Sequence, residues 1–127
     1  MRYIIEKHNR YVVIEPLRDT INATAANFLK GEFMLRNTSG QRNIVLDLSR
    51  IEIIDEDGIR MGLLAHRLCR SVGGVFVLTG LRPQVLQMLK MAKLDSYFTV
   101  VSSLSEAEDV IFGNEIQREM LGRNGRE

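Results

Sequence analysis

The sequence predicts an α/β fold in which a mixed sheet of about five strands carries about four packed helices. Segments rich in β-branched and aromatic residues alternate with segments whose apolar residues recur at helical spacing. Only a short polar turn, "HNR", separates the first two strand-like segments, so these form an antiparallel hairpin. Helices separate the later strands, and such crossovers join strands that run parallel.

The predicted strands contain many valine, isoleucine and aromatic residues, which suit a pleated sheet. Pro16 has no backbone N–H, so the second strand ends near it or lies at an edge there. A further apolar piece, residues 51–54, leads into an acidic run. The five strands are expected at residues 3–7, 11–17, 43–49, 75–80 and 97–101.

The predicted helices combine apolar periodicity with residues that suit helix ends. Thr20 or Asn22 can cap the first helix, because either side-chain oxygen can accept an N–H bond of the first turn. Pro83 suits the start of the third helix. Ser103 and Glu106 have the spacing of a capping box. The four helices are expected at residues 20–37, 59–72, 83–94 and 103–121.

Composition limits the range of functions. The chain has 127 residues, 45% of them hydrophobic, and a formal net charge of +1. No apolar run approaches the about 20 residues that a membrane span needs, so we expect a cytoplasmic protein that does not insert into a membrane. We expect no binding of nucleic acid, because that usually requires a basic excess. The single cysteine cannot form an internal disulfide. We expect one domain at residues 1–113, followed by a helical extension and a frayed tail at residues 114–127.

The acidic run Asp55, Glu56 and Asp57 stands between the piece at 51–54 and the second helix. Asp55 or Asp57 could cap that helix and contribute about 1 kcal/mol. A metal-dependent phosphoryl-transfer site is the alternative, because carboxylate oxygens are ligands for Mg²⁺ and Ca²⁺. The acidic residues do not follow the spacing of a calcium-binding loop. We expect no metal, no cofactor and no catalytic residue.

Residues 43–66, "NIVLDLSRIEIIDEDGIRMGLLAH", resemble the sulfate-transporter and anti-sigma-antagonist (STAS) family. Members of that family read roughly "LDLS" followed by "DSSGL", and this chain has "LDLS" and "DEDGI". The downstream segment "FVLTGLRPQVLQMLKMAKLDSYFTVVSSLSEAEDVI" is also similar to the family's strand, helix, strand and final helix. The resemblance extends over about residues 3–112 and implies the same order of elements.

The resemblance implies a small protein-binding domain that is not an enzyme. In bacterial anti-sigma antagonists, the unphosphorylated domain binds an anti-sigma factor that is also a serine kinase, which releases a sigma factor. The kinase then phosphorylates the second serine of the "DSSG" loop and binding is lost. The implied partner of this chain is therefore an anti-sigma factor or a related kinase-like protein.

This chain departs from the family pattern at the phosphorylated loop. Residues 55–58, here called the switch loop, match as follows: Asp55 is the family aspartate, Glu56 replaces the first serine, Asp57 replaces the phosphoacceptor and Gly58 is the family glycine. Asp57 has no hydroxyl group to phosphorylate. A fixed carboxylate there either prevents binding or suits a partner adapted to it. Two further departures are Asn22, where the family often has aspartate, and Arg60, where many members have a small residue.

A second stripe of the helix at 59–72 follows the switch loop. It contains Ile59, Leu63, His66 and Arg70. With Arg60, these are the residues that we predict to bind the partner, because the corresponding helix carries much of the interface in the family. The plainer alternative is that the stripe is the half-buried margin of the core.

The sequence thus predicts a non-enzymatic STAS domain that regulates an anti-sigma or kinase-like partner through residues 55–70. A subunit of a transport-associated or stress-signalling complex is a second hypothesis. An acidic-loop phosphoryl-transfer domain is a third.

Overall fold

The computed structural model describes the backbone of residues 1–124 and the side chains of residues 1–122. A five-stranded sheet forms its centre. Its first two strands pair antiparallel, and all its other neighbours pair parallel. The predicted fold class is confirmed. In spatial order the strands are β1 (Tyr3–Lys7), β2 (Val12–Pro16), β4 (Ile44–Asp47), β6 (Phe76–Thr79) and β7 (Thr99–Val101).

Two further strands, β3 (Thr20–Ile21) and β5 (Ile53–Ile54), pair parallel in a small separate sheet. This pairing was not predicted, because two-residue strands are too short to show any periodicity. It changes the start of the first helix, which begins after the strand rather than at Thr20. Each of these short strands leads directly into a helix, so their pairing brings the starts of two helices together.

The four helices are α1 (Ala23–Thr38), α2 (Glu56–Ser71), α3 (Pro83–Met91) and α4 (Leu104–Asn124). The third is shorter than predicted, and Lys93 follows it with a φ of 60°. Half of the predicted capping box is present, because the Glu106 N–H donates to Ser103 Oγ at 3.2 Å. The Glu106 carboxylate accepts from the N–H and the hydroxyl of Ser102 rather than from the Ser103 N–H. The last helix continues through residue 113 without a break, and the tail residues 125–127 lie outside the described part of the chain.

The sheet is buried on both faces, so residues along each central strand alternate between two apolar clusters. Helices α1, α2 and α3 cover the first face, where Phe33 and Phe76 are fully enclosed. Helix α4 covers the other face, with Ala107 and Ile111 against the strand valines. Cys69 lies within the first cluster, and burial raises the pKa of its thiol to about 12. Among the described residues, no helix has both the length and the apolar character needed to cross a bilayer.

Candidate functional site

The switch loop is held at the start of α2 by a helix cap. Asp55 has extended backbone angles, and its Oδ1 accepts a hydrogen bond from the Gly58 N–H at 3.0 Å. Its own N–H donates to the Ile21 carbonyl at 3.1 Å, which fixes the loop to the small sheet. Asp55 is therefore the cap and Asp57 is not, so α2 begins at Glu56 rather than at Ile59.

Gly58 makes this arrangement possible because it is buried against the small sheet. A Cβ atom at this position would lie 2.4 Å from Ile54 Cγ2 and 3.0 Å from Ile21 Cγ2. These distances are shorter than van der Waals contact, so any larger residue would push the start of α2 away from β3 and β5. Glycine here places the first turn of α2 directly on the two short strands.

The other two acids of the switch loop lie on the exposed side of the first turn. Arg60, one turn later, contacts both: its Nη2 lies 2.6 Å from Glu56 Oε1, and its Nη1 lies 3.4 Å from Asp57 Oδ1. The Arg60 side chain is 65% exposed and the Asp57 side chain 48% exposed. The positive end of the helix dipole also favours carboxylates here. The loop is thus a partly neutralised acidic surface accessible to another molecule.

The acidic residues near this loop do not converge. Asp47 Oδ1 accepts the Ser49 N–H at 3.0 Å, and Glu52 pairs with Arg82 at 3.3 Å. Among the described residues, no three histidine, cysteine, aspartate or glutamate side chains are placed to hold a metal ion. The geometry therefore gives no support to the alternative of a metal-dependent phosphoryl-transfer site.

The residues predicted to bind a partner differ in accessibility. Ile59 and Leu63 are half-buried and pack against the core, whereas Arg60 and Arg70 are exposed. His66 is only 8% exposed. The accessible part of this predicted face consists of Arg60, Arg70 and the outer edges of Ile59 and Leu63.

An aromatic residue that the sequence did not single out lies beside this stripe. The Tyr97 ring is 4.7 Å from the His66 ring, measured between centroids, and Tyr97 is exposed. Burial lowers the pKa of His66, and the charge of Arg70 lowers it further. The Nδ1 atom of His66 is buried with no hydrogen-bond partner among the described residues. The sequence pattern predicts Tyr97 in the last strand, but that strand begins at Thr99.

Asn22, the second departure from the family pattern, caps α1. Its Oδ1 accepts a hydrogen bond from the Ala25 N–H at 3.0 Å. Because β3 and β5 are paired, the Asn22 cap of α1 and the Asp55 cap of α2 lie at the same end of the domain. Asparagine keeps the capping oxygen that aspartate would supply but carries no charge.

Fold and site together define a small α/β domain with a capped, charged loop at the start of its second helix. The sequence profile of the STAS domain matches residues 3–107. The chain is 32% identical over 96 residues to BtrV of Bordetella bronchiseptica, a candidate anti-sigma factor antagonist, and the match covers 76% of this chain and 83% of BtrV. The chain belongs to the STAS domain family and is anti-sigma factor antagonist-like.

Solved structures share the fold. The protein TM1081 of Thermotoga maritima, another candidate anti-sigma factor antagonist, superposes with a TM-score of 0.80 at 23% identity, covering 86% of this chain and 93% of that chain. A variant of Moorella thermoacetica RsbS with glutamate in place of a serine superposes with a TM-score of 0.68 at 28% identity, with the same coverages of 86% and 93%.

Proposed function

We propose that this protein binds a kinase-like anti-sigma factor through the first turns of α2, with the switch loop in a single charge state. The observation that carries this proposal is the position of Asp57. It lies exposed in the first turn of α2, where the family resemblance places the phosphoacceptor serine, and it has no hydroxyl group to accept phosphate.

The charge of the switch loop favours a protein that stays able to bind the anti-sigma factor. A phosphoserine carries about −1.5 to −2 charges, whereas Asp57 carries about −1 and has one oxygen fewer. Arg60 contacts both Glu56 and Asp57 and offsets part of their charge. Many family members have a small residue at this position, so we propose that Arg60 compensates for the two acids. The RsbS variant shares this fold with glutamate in place of a serine, which supports the view that the fold tolerates such a change.

The proposed binding face continues from the switch loop along α2. Arg60 and Arg70 are exposed on this helix, where Ile59 and Leu63 are half-buried. Tyr97 adds an exposed aromatic ring. Arginine and tyrosine are enriched among the residues that carry most of the binding energy at protein interfaces. His66 is too buried for extensive contact, so we assign it the role of supporting Tyr97.

The test measures the dissociation constant for each kinase-type anti-sigma factor encoded in the same genome by isothermal titration calorimetry. We expect one of them to bind, and Arg70→Glu to weaken that binding at least tenfold. Lys90→Glu is the matched control, because Lys90 is an exposed cation of α3 outside the proposed face. The proposal fails if none of these proteins binds, or if Arg70→Glu and Lys90→Glu behave alike.

A further inference from the structure

A groove lies between α1 and α2, beginning beside the switch loop. The two helices run in the same direction, because both start from the small sheet and the Asn37 amide near the end of α1 donates to the Leu68 carbonyl near the end of α2 at 3.2 Å. Asp57 and Arg60 lie at its first end. The groove has a volume of about 290 Å³.

The rim of the groove is cationic. Lys30 from α1 and Arg60 and Arg67 from α2 all line it, and Asp57 is the one acidic residue in its wall. Arg60 is engaged by the acids of the switch loop. Lys30 and Arg67 are exposed and form no ion pair with any other residue in the described range 1–122. Two cations are therefore free to bind an anionic ligand.

The floor of the same groove is apolar. Leu64, half-buried in its wall, is the apolar side chain that a ligand can reach, and Ala26 and Met61 lie buried beneath it. An apolar floor with a cationic rim is complementary to a segment that carries apolar side chains on one side and carboxylates on the other. The combination distinguishes this groove from a row of solvated surface charges, which would have no apolar strip to bury.

We infer that the groove receives an acidic amphipathic segment of a protein partner, with its carboxylates on Lys30 and Arg67 and its apolar side chains on Leu64. This inference rests on the proposed function, since it describes how the same partner would bind beside the switch loop. A nucleic acid fits less well, because Glu56 and Asp57 end the row of cations and phosphate binding generally needs a longer basic surface.

The direct test uses a synthetic 14-residue amphipathic helix that carries glutamate on its polar face. Its binding is followed through the backbone amide signals of the ¹⁵N-labelled protein at 50 mM and 300 mM NaCl. We expect shifts confined to residues 26–30 and 57–67, and weaker binding at the higher salt concentration because exposed charges are screened. A peptide with glutamine in place of every glutamate should bind at least tenfold more weakly.

Charge reversal then assigns the cations. The double variant Lys30→Glu/Arg67→Glu should lose at least tenfold in affinity for the acidic peptide. The double variant Lys7→Glu/Lys90→Glu changes the net charge by the same amount at exposed positions outside the groove, and should stay within twofold of the parent protein. Thermal unfolding of both variants confirms that each is folded.

Three results would overturn the inference: no shifts in the groove, equal binding of the glutamine peptide, or tighter binding of a 14-nucleotide oligothymidylate to the same amides. The same double variants, titrated with the anti-sigma factor, separate this inference from the proposed function. If that partner binds and Lys30→Glu/Arg67→Glu leaves its affinity unchanged, the groove assignment fails and the proposed function stands. If no anti-sigma factor binds while the acidic peptide does, the proposed function fails instead.

Discussion

Two of the arginine–carboxylate contacts in this domain have opposite degrees of burial. On α2, Arg60 contacts Glu56, whose side chain is 80% exposed. Glu115 of α4 accepts at its Oε2 a hydrogen bond of 2.9 Å from Arg42 Nη2, and the Glu115 side chain is only 5% exposed. The first pair lies at the candidate binding site, and the second joins the last helix to the sheet.

The surroundings of Glu115 form a connected cluster, here called the Glu115 cluster. The Asn43 amide donates to Glu115 Oε1 at 2.8 Å and to the Arg10 carbonyl at 2.8 Å, and Asn43 Oδ1 accepts the Val75 N–H at 2.9 Å. Arg10 reaches the same carboxylate at 3.4 Å. One buried acid thus holds α4 against residues that precede β2, β4 and β6.

Burial determines what each pair can contribute. An exposed ion pair contributes about 0–1 kcal/mol, since water solvates both charges well, so it can adjust local charge without affecting the fold. Removing a buried carboxylate, or the groups that hydrogen-bond to it, lowers the free energy of unfolding far more, because the remaining polar groups are left without hydrogen bonds. The difference predicts that substitutions on α4 change stability and that substitutions in the switch loop change binding.

The largest effect is expected from Glu115→Ala. It leaves one N–H of the Asn43 amide, Arg10 and Arg42 without their carboxylate acceptor, and we expect a loss of roughly 3 kcal/mol in the free energy of unfolding. Urea denaturation followed by circular dichroism measures it. The control is Glu119→Ala, an exposed position on the same helix, which should stay within about 0.5 kcal/mol of the parent. Equal effects of the two substitutions would contradict the structural role of the cluster.

The Glu115 cluster should also make stability depend on pH. Burial raises the pKa of Glu115, but hydrogen bonds from Asn43 and Arg42 and the charges of Arg42 and Arg118 outweigh it, so the pKa is lowered overall. A carboxylate with a lowered folded-state pKa stabilises the fold above its unfolded pKa of about 4.3, and this contribution is lost as the pH falls through the folded-state value.

The pH prediction is tested with Glu115→Gln, which removes the titrating group and preserves its shape. The difference in the free energy of unfolding between parent and variant should be larger at pH 7 than at pH 3. A difference that is constant between these two pH values would show that the charge of Glu115 does not contribute.

A smaller effect is expected at the helix cap. Asp55→Ala removes the acceptor of the Gly58 N–H and should cost about 1 kcal/mol. Asp55→Asn keeps an oxygen in the same place and should recover most of that loss. Chemical denaturation of the three proteins gives the comparison, and a loss as large in Asp55→Asn as in Asp55→Ala would argue against the cap.

The smallest effect on stability is expected for Arg60→Ala, because the ion pairs it removes are exposed. We expect a change of less than about 0.5 kcal/mol in the free energy of unfolding. Affinity for the anti-sigma factor should nevertheless fall, because Glu56 and Asp57 would no longer be offset. Calorimetric titration at low and high salt measures this affinity. An unchanged affinity would show that Arg60 is not part of the proposed binding face.

The sequence predicted the order and type of the main elements, because alternating periodicity and cap residues are local signals. It did not predict which acid caps α2, because Asp55 and Asp57 are equally suited until the pairing of β3 with β5 fixes the preceding backbone. It also placed Tyr97 in a strand, although that residue lies in the turn before β7.

Features that join distant segments were not accessible from the sequence. Glu115 lies in the polar segment "GNEIQRE", and its burial depends on Arg42 and Asn43, more than 70 residues earlier. The groove is a similar case, since Lys30 and Arg67 become neighbours only when α1 and α2 pack side by side. Tertiary packing, not local propensity, creates both features.

The central claim is that Asp57 keeps the binding loop in one charge state, and its most direct test compares binding before and after incubation with ATP. The parent protein and Asp57→Ser are each mixed with the kinase-type anti-sigma factor, and their dissociation constants are measured with and without ATP. We predict that the parent binds equally well in both conditions, while Asp57→Ser is phosphorylated at position 57 and loses at least tenfold in affinity. A parent protein released by ATP would contradict the claim.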